Sequence, residues 1–354
     1  MSASASIAGS VPVASLGDVL GPARPVVSVA PVVLAAPDRV IPLEVRVSAP
    51  VSGSNLPVLL FSHGNGWSLD GYAPLTAYWA SQGFVVVQPT HLDSRRHGIG
   101  FDDERFATIW LRRYDDLLRI LDQLDTVEGA VPGLAGRVDR TTVLAAGHSW
   151  GAQTVQMLLG ARIVEADGSL GADYRDGRVS AGVLLAATGV GGDELHPFAK
   201  ENFPFMNPSF GQLSAPTLVV AGDRDQSKMS SRGPDWFTDA YHRSPGATEL
   251  LTLFGAEHSL GGIPNHEAAE TTDENPERVA VLARLTAAYL RSAATGDASA
   301  WDRARDAFAG DGGVLGRIDS KRRGSSPSPA VRLRGGRRVG TQLVPLKAEA
   351  RPTG

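Results

Sequence analysis

The sequence predicts an α/β fold, a mostly parallel, doubly wound sheet led by an antiparallel strand pair. Three observations carry this. Short continuous runs such as FVVVQPTH (84–91) and APTLVVAGD (215–223) read as strands buried on both faces. Between such runs lie segments with apolar residues at helical spacing, as in YAPLTAYWASQG (72–83). Strands end in loops rich in Gly, Asp and His, the punctuation of strand–helix units. With 42% hydrophobic residues among 354, the chain can fill the core of one domain of about 250–300 residues.

Taken in order, residues 1–24 are small, Ser/Ala/Gly-rich and aperiodic, and are expected to be flexible. VVSVAPVVLA (26–35) and IPLEVRVSAP (41–50) flank a Pro-Asp turn and form the antiparallel pair. LPVLLFSHG (56–64) is a strand running into a Gly-rich loop, 72–83 a helix closed by Gly83, and 84–91 the next strand. After a charged loop, the spacing predicts one long helix over 106–127. TTVLAAGHS (strand), AQTVQMLLGAR (helix), SAGVLLAAT (180–188), APTLVVAGD and TELLTLFGAEHS (248–259) follow, and the helix 276–294 closes the series. SAWDRARDAF, within 298–321, reads as one more short helix. The domain therefore spans 25–321, and the basic, Gly/Ser/Pro-rich 322–354 reads as a disordered tail. The 26 residues between Thr188 and Ala215 carry early glycines and then Pro197, Pro204 and Pro208, which leaves room for one short helix and no large lid.

The formal net charge of −4 gives no global attraction to nucleic acid or anionic membranes, and the arginines of the tail read as solvated. With no cysteine there is no disulfide, thiolate nucleophile or Cys-ligated zinc. No run of eighteen apolar residues predicts a membrane span, and no basic segment precedes the apolar residues of the N-terminus, so the expected location is the cytoplasm.

One motif stands out, GHSWG at 147–151. In a chain with 40 glycines the pattern alone is weak, and its context decides. A strand precedes it and a helix follows. At such a turn the serine takes φ > 0, and side chains two positions either side would collide, so Gly147 and Gly151 are required. Ser149 then stands above the C-terminal sheet edge. A serine hydroxyl needs a base and a group to orient that base, and in a strand–elbow–helix context the expected chain order is Ser, acid, His. The loop after TLVVAGD offers Asp223 and Asp225. Asp225, carried past the strand end, is preferred, and Asp223 is read as a turn cap. The loop after TELLTLFGAE offers His258. Oxyanion donors are assigned to the backbone N–H groups of Trp150 and of Asn65, the latter in His63-Gly64-Asn65-Gly66. His63 is expected to order that loop. Gly66, Trp67, Phe203 and Phe205 are candidate pocket residues, though core packing explains Phe198, Phe203, Phe205 and Phe210 equally well. His148 and His266 have no positional claim, and His91, Asp93 and His97 are too irregularly spaced for a metal site.

In GHSWG, FSHGNG, VVAGDRD and FGAEHS, in that order over about residues 26–310, the chain resembles the α/β-hydrolase superfamily. The SHGxG loop and GAEH ending are similar to the dienelactone-hydrolase-like, chlorophyllase-like and platelet-activating-factor-acetylhydrolase-like esterases. The resemblance implies an α/β-hydrolase fold and a Ser-His-Asp esterase acting without cofactor or metal on a small-molecule ester, lactone or thioester. Dienelactone hydrolases use a cysteine nucleophile that this chain lacks, so their substrate is not implied. The alternatives are other triad chemistry, such as C–C bond hydrolysis or perhydrolysis, and a hydrolase fold kept as a non-catalytic binding protein.

Overall fold

The computed structural model describes residue 16 and residues 19–100, 102–267 and 271–321. Strands β1 (Val26–Leu34) and β2 (Leu43–Pro50) form the expected antiparallel pair, with Val26 opposite Pro50 and Leu34 opposite Leu43. They join β3 (Leu56–Ser62), β4 (Val85–Pro89), β5 (Val138–His148), β7 (Val179–Leu185), β9 (Thr217–Gly222), β10 (Ala247–Leu253) and β11 (Gly316–Ser320) in one nine-stranded sheet ordered β1-β2-β4-β3-β5-β7-β9-β10-β11. From β4 to β10 neighbouring strands are parallel, while β2 and β11 run antiparallel to their neighbours. Parallel neighbours place the loops that leave β3, β5, β9 and β10 along one sheet edge. A two-residue ribbon, β6 (Arg162–Ile163) with β8 (Pro208–Ser209), lies outside the sheet.

The continuous apolar runs are accounted for by two cores, one on each face. Along β3, Leu59 and Phe61 enter one core, with Val58 and Leu60 in the other; along β5, Leu144 and Ala146 oppose Val143 and Ala145. Helices α1 (Ala73–Ser81) and α7 (Pro276–Thr295) cover the first face through Leu75, Trp79, Leu282 and Leu285. Helices α2 (Ile109–Asp122), α4 (Trp150–Leu158) and α6 (Asp239–Arg243) cover the second through Leu117, Ile120, Val155 and Ala240. Each fully buried Leu or Val contributes about 1.5–3 kcal/mol, so this double layer is the main source of stability.

Several expectations are corrected. The single helix over 106–127 is instead a 3-10 turn (Glu104–Thr108), α2, and then α3 (Leu124–Ala130). The break falls at Gln123, φ −122°, whose side-chain amide accepts from Ala35 N–H at 2.7 Å and donates to Ala35 O at 2.8 Å. A tertiary contact with the end of β1 thus overrides the helical periodicity. The N-terminal segment is not free through residue 24: Leu16 and Leu20 are buried in the first core, and Arg291 donates to Leu20 O at 2.8 Å. The remainder of 1–18 and the whole of 322–354, the expected tail, lie outside the described residues. The compact unit runs through Lys321. SAWDRARDAF forms α8 (Ser299–Ala307) as expected, with Trp301 edge-on to Tyr289. Strand β11, GRIDS, was not anticipated, because it carries one apolar side chain and no alternation. Between β7 and β9 the described elements are a 3-10 turn (Gly192–Glu194), the six-residue α5 (Pro197–Asn202) and β8, and no multi-helix cap. Among the described residues no helix is long and apolar enough to cross a membrane.

Candidate active site

Strand β5 ends at His148, and the chain turns at Ser149 directly into α4. Ser149 holds φ 55°, ψ −119°, a conformation costing a non-glycine residue about 1–3 kcal/mol. Its N–H donates to Leu185 O at 2.9 Å, and its C=O accepts from Gln153 N–H at 3.0 Å, so both neighbouring elements hold it there. A Cβ on Gly147 would lie 2.3 Å from Gly151 O, and one on Gly151 would lie 1.9 Å from Ser62 O. The helix start is pressed against the end of β5, which requires Gly147, and against the end of β3, which requires Gly151.

The sheet edge brings the three chosen side chains together. Ser149 Oγ lies 2.9 Å from His258 Nε2, and His258 Nδ1 lies 2.8 Å from Asp225 Oδ2. A neutral imidazole protonated on Nδ1 donates to the carboxylate and accepts from the serine hydroxyl. Asp225 is fully buried, whereas the His258 side chain is 45% exposed. Asp223 is exposed and accepts from Gly255 N–H at 2.6 Å, the turn-capping role assigned to it. Partial burial disfavours charge on His258, but the charge and hydrogen bond of Asp225, with Asp273 adding, outweigh it and hold the imidazole above its ordinary value. Asp273 also pins the His258 loop, its Oδ2 accepting from the N–H groups of Glu257 and Gly261, each at 2.8 Å, while Arg278 pairs with the same oxygen at 3.3 Å. Nothing in the polar stretch TTDENPE marks Asp273 for this role.

Trp150 is the first residue of α4, so its N–H has no intrahelical acceptor. In the loop after β3, Gly64 N–H is spent on Tyr72 Oη (3.0 Å), Gly66 N–H on Asp93 (3.3 Å) and Trp67 N–H on Gly64 O (3.3 Å). That leaves the amide of exposed Asn65 as the loop donor with no acceptor among the described residues. Buried polar groups fix the loop from beneath. The Arg113 guanidinium, on α2, donates to His63 O (2.8 Å) and Gly64 O (3.1 Å) and makes a paired contact with Asp93 at 2.8 and 2.7 Å. Burial would raise Asp93, but the Arg113 charge and hydrogen bonds overcome it and hold the carboxyl at about 2. His63 spends both ring nitrogens on the main chain, Nδ1–H on Gly64 O (2.7 Å) and Nε2 accepting His91 N–H (3.0 Å), which is a loop-ordering arrangement. His91 bonds Asp116 (3.0 Å) and Ser62 (2.9 Å). No group of three metal-ligating side chains occurs among the described residues.

Two expectations about side chains are revised. His148, given no role from its position, is buried between Tyr72 Oη (2.8 Å) and the main-chain oxygen of His258 (2.8 Å). Phe203 is buried among Phe106, Trp150, Phe198 and Phe205, as part of the core. Phe205 stacks on Trp110 and meets Trp150 edge-on, and it lines a groove of about 610 Å³ with Ile163, Leu195 and Pro204. Gly66, at φ 82°, shapes the loop, and Trp67 lies under the Arg95 guanidinium at 4.6 Å. Phe210 belongs to the opposite core. No family model matches the chain, and a search of curated proteins finds no match.

Proposed function

We propose that the protein is a serine hydrolase of the α/β-hydrolase type that cleaves a carboxylic ester, lactone or thioester. The observation that carries this reading is the unbroken Ser149–His258–Asp225 hydrogen-bond chain, at 2.9 and 2.8 Å, on a serine held at φ 55°. Its supports are the chain order Ser, Asp, His, the glycine-bounded turn, and the adjacent Trp150 N–H at the helix start. In this mechanism His258 Nε2 takes the Ser149 proton as Oγ attacks the carbonyl carbon. The Trp150 and Asn65 N–H groups receive the oxyanion, each such donor being worth about 3–4 kcal/mol. His258 passes the proton to the leaving alcohol, and Asp225 stabilises the transient imidazolium. Water, deprotonated by His258, then attacks the acyl-Ser149 carbonyl, and collapse of the second tetrahedral intermediate returns the proton to Oγ and releases the acid. A protein that only bound ligand would have no use for a strained serine or for a base aligned on it.

The test is labelling with a fluorophosphonate together with turnover of p-nitrophenyl acetate. Both should occur in the unaltered protein and disappear in Ser149→Ala, which removes only a hydroxyl. Labelling that persists in Ser149→Ala, or is absent from the unaltered protein, would overturn the assignment.

A further inference from the structure

The oxyanion loop and the base loop are linked by a second hydrogen-bond chain, buried up to His148 and partly exposed at His258, whose direction can be deduced. His258 O can only accept, so His148 Nε2 must carry the proton between them at 2.8 Å. Burial holds His148 down at about 3, so the ring stays neutral and its Nδ1 is an acceptor. Tyr72 Oη must therefore donate to Nδ1 at 2.8 Å, and its lone pairs accept from Gly64 N–H at 3.0 Å. Three donors in series, Gly64 N–H, Tyr72 O–H and His148 Nε2–H, thus point their protons one way, ending on the His258 carbonyl.

The surroundings are built around this chain. Tyr72 and His148 are 0% and 2% exposed, and the Tyr72 ring packs on Phe61 at 4.9 Å. Tyr72 sits at φ 65°, ψ 17°, an unfavourable conformation for an aromatic residue, with its N–H on Pro264 O. A Cβ on Gly64 would lie 2.9 Å from Tyr72 Oη and 3.1 Å from His148 Nδ1, so glycine is needed for the loop to reach the chain.

We propose that Tyr72 and His148 are positioning residues that hold the Asn65 oxyanion donor and the His258 base in mutual register, through Gly64 on one side and the His258 main chain on the other. Neither hydrogen-bonds a reacting atom, although the His148 ring lies 5.0 Å from that of His258. Their effect belongs in turnover, because small misplacements of reacting groups cost on the order of a hundredfold. The inference rests on the serine-hydrolase reading above.

Tyr72→Phe removes the central hydroxyl and keeps the ring on Phe61. Its kcat on p-nitrophenyl acetate should fall about tenfold to a hundredfold, with KM changed by less than about threefold. His148→Leu should lose at least as much. His148→Gln offers one acceptor towards Tyr72 and one donor towards His258 O, and should recover at least about tenfold over His148→Leu. Thermal midpoints are recorded alongside. A Tyr72→Phe kcat within about twofold of the unaltered protein, equal activity of the Leu and Gln variants, or a loss no larger than the unfolded fraction would overturn the proposal. An unaltered protein without Ser149-dependent turnover would instead refute the hydrolase reading, and this inference with it.

Discussion

Among single residues, the two neighbouring aspartates separate most sharply. Asp225→Asn leaves His258 with a partner that no longer enforces its tautomer or stabilises its charge, and kcat should drop by about 10⁴-fold. Asp223→Asn keeps an oxygen for Gly255 N–H and should change kcat by less than about threefold. The reverse order of effects would move the acid role to Asp223. His258 must be neutral to act as base, and it is held above the ordinary histidine value. Hence kcat/KM should climb with pH through a midpoint above about 6.5, and a midpoint below that value would mean that Asp225 does not support the imidazolium. Ser149, Asp225 and His258 were legible because each sits at a fixed offset from a strand end. Arg113, Asp93, Tyr72 and His148 were not. Their partners are far away in sequence, and an arginine on an amphipathic helix, or a tyrosine in an apolar stretch, reads as solvated face or core until the fold buries it.

At the scale of elements, the contact between the start of α4 and the end of β3 is the least forgiving. Gly151→Ala would drive a methyl group into Ser62 O, a main-chain atom that cannot step aside, and should destabilise the protein by about 3 kcal/mol or more, read as a shift in urea midpoint. A shift under about 1 kcal/mol would show that the elbow can relax. The helical content of the segment between β7 and β9 is a 3-10 turn and the six-residue α5. Hydrolysis of soluble short-chain esters should therefore follow simple saturation, and a jump in rate beyond the substrate's solubility limit would reveal a cover over the site. Long periodic elements and buried strands could be read from the pattern. The break at Gln123 and the strand GRIDS could not, since each is decided by a neighbour that local sequence does not encode.

Considered as a whole molecule, the fold encloses imidazoles that resist protonation. Burial holds His63 and His91 well below the ordinary value and His148 at about 3. The unfolded chain takes up these protons near pH 6.5 and the folded one does not, so the stability they contribute is complete above that pH and is lost as pH falls. Asp116, pushed up to about 7 by burial that its arginine neighbours only partly oppose, binds a proton in the folded state and offsets part of this. The net should be a loss of stability as pH falls below about 6.5, seen as a declining urea midpoint. A flat midpoint there would mean that the buried rings accept protons without unfolding. The Ser149–His258–Asp225 hydrogen-bond chain has a different consequence for how the chain reaches its native state. Ser149 meets His258 across 109 residues, and His258 meets Asp225 across 33. Contacts so distant along the chain close late, after local helices have formed. On the proposed hydrolase reading, fluorophosphonate reactivity at Ser149 should therefore return with the last kinetic phase of refolding and lag the recovery of helical circular dichroism, which makes that serine a clock for completion of the sheet.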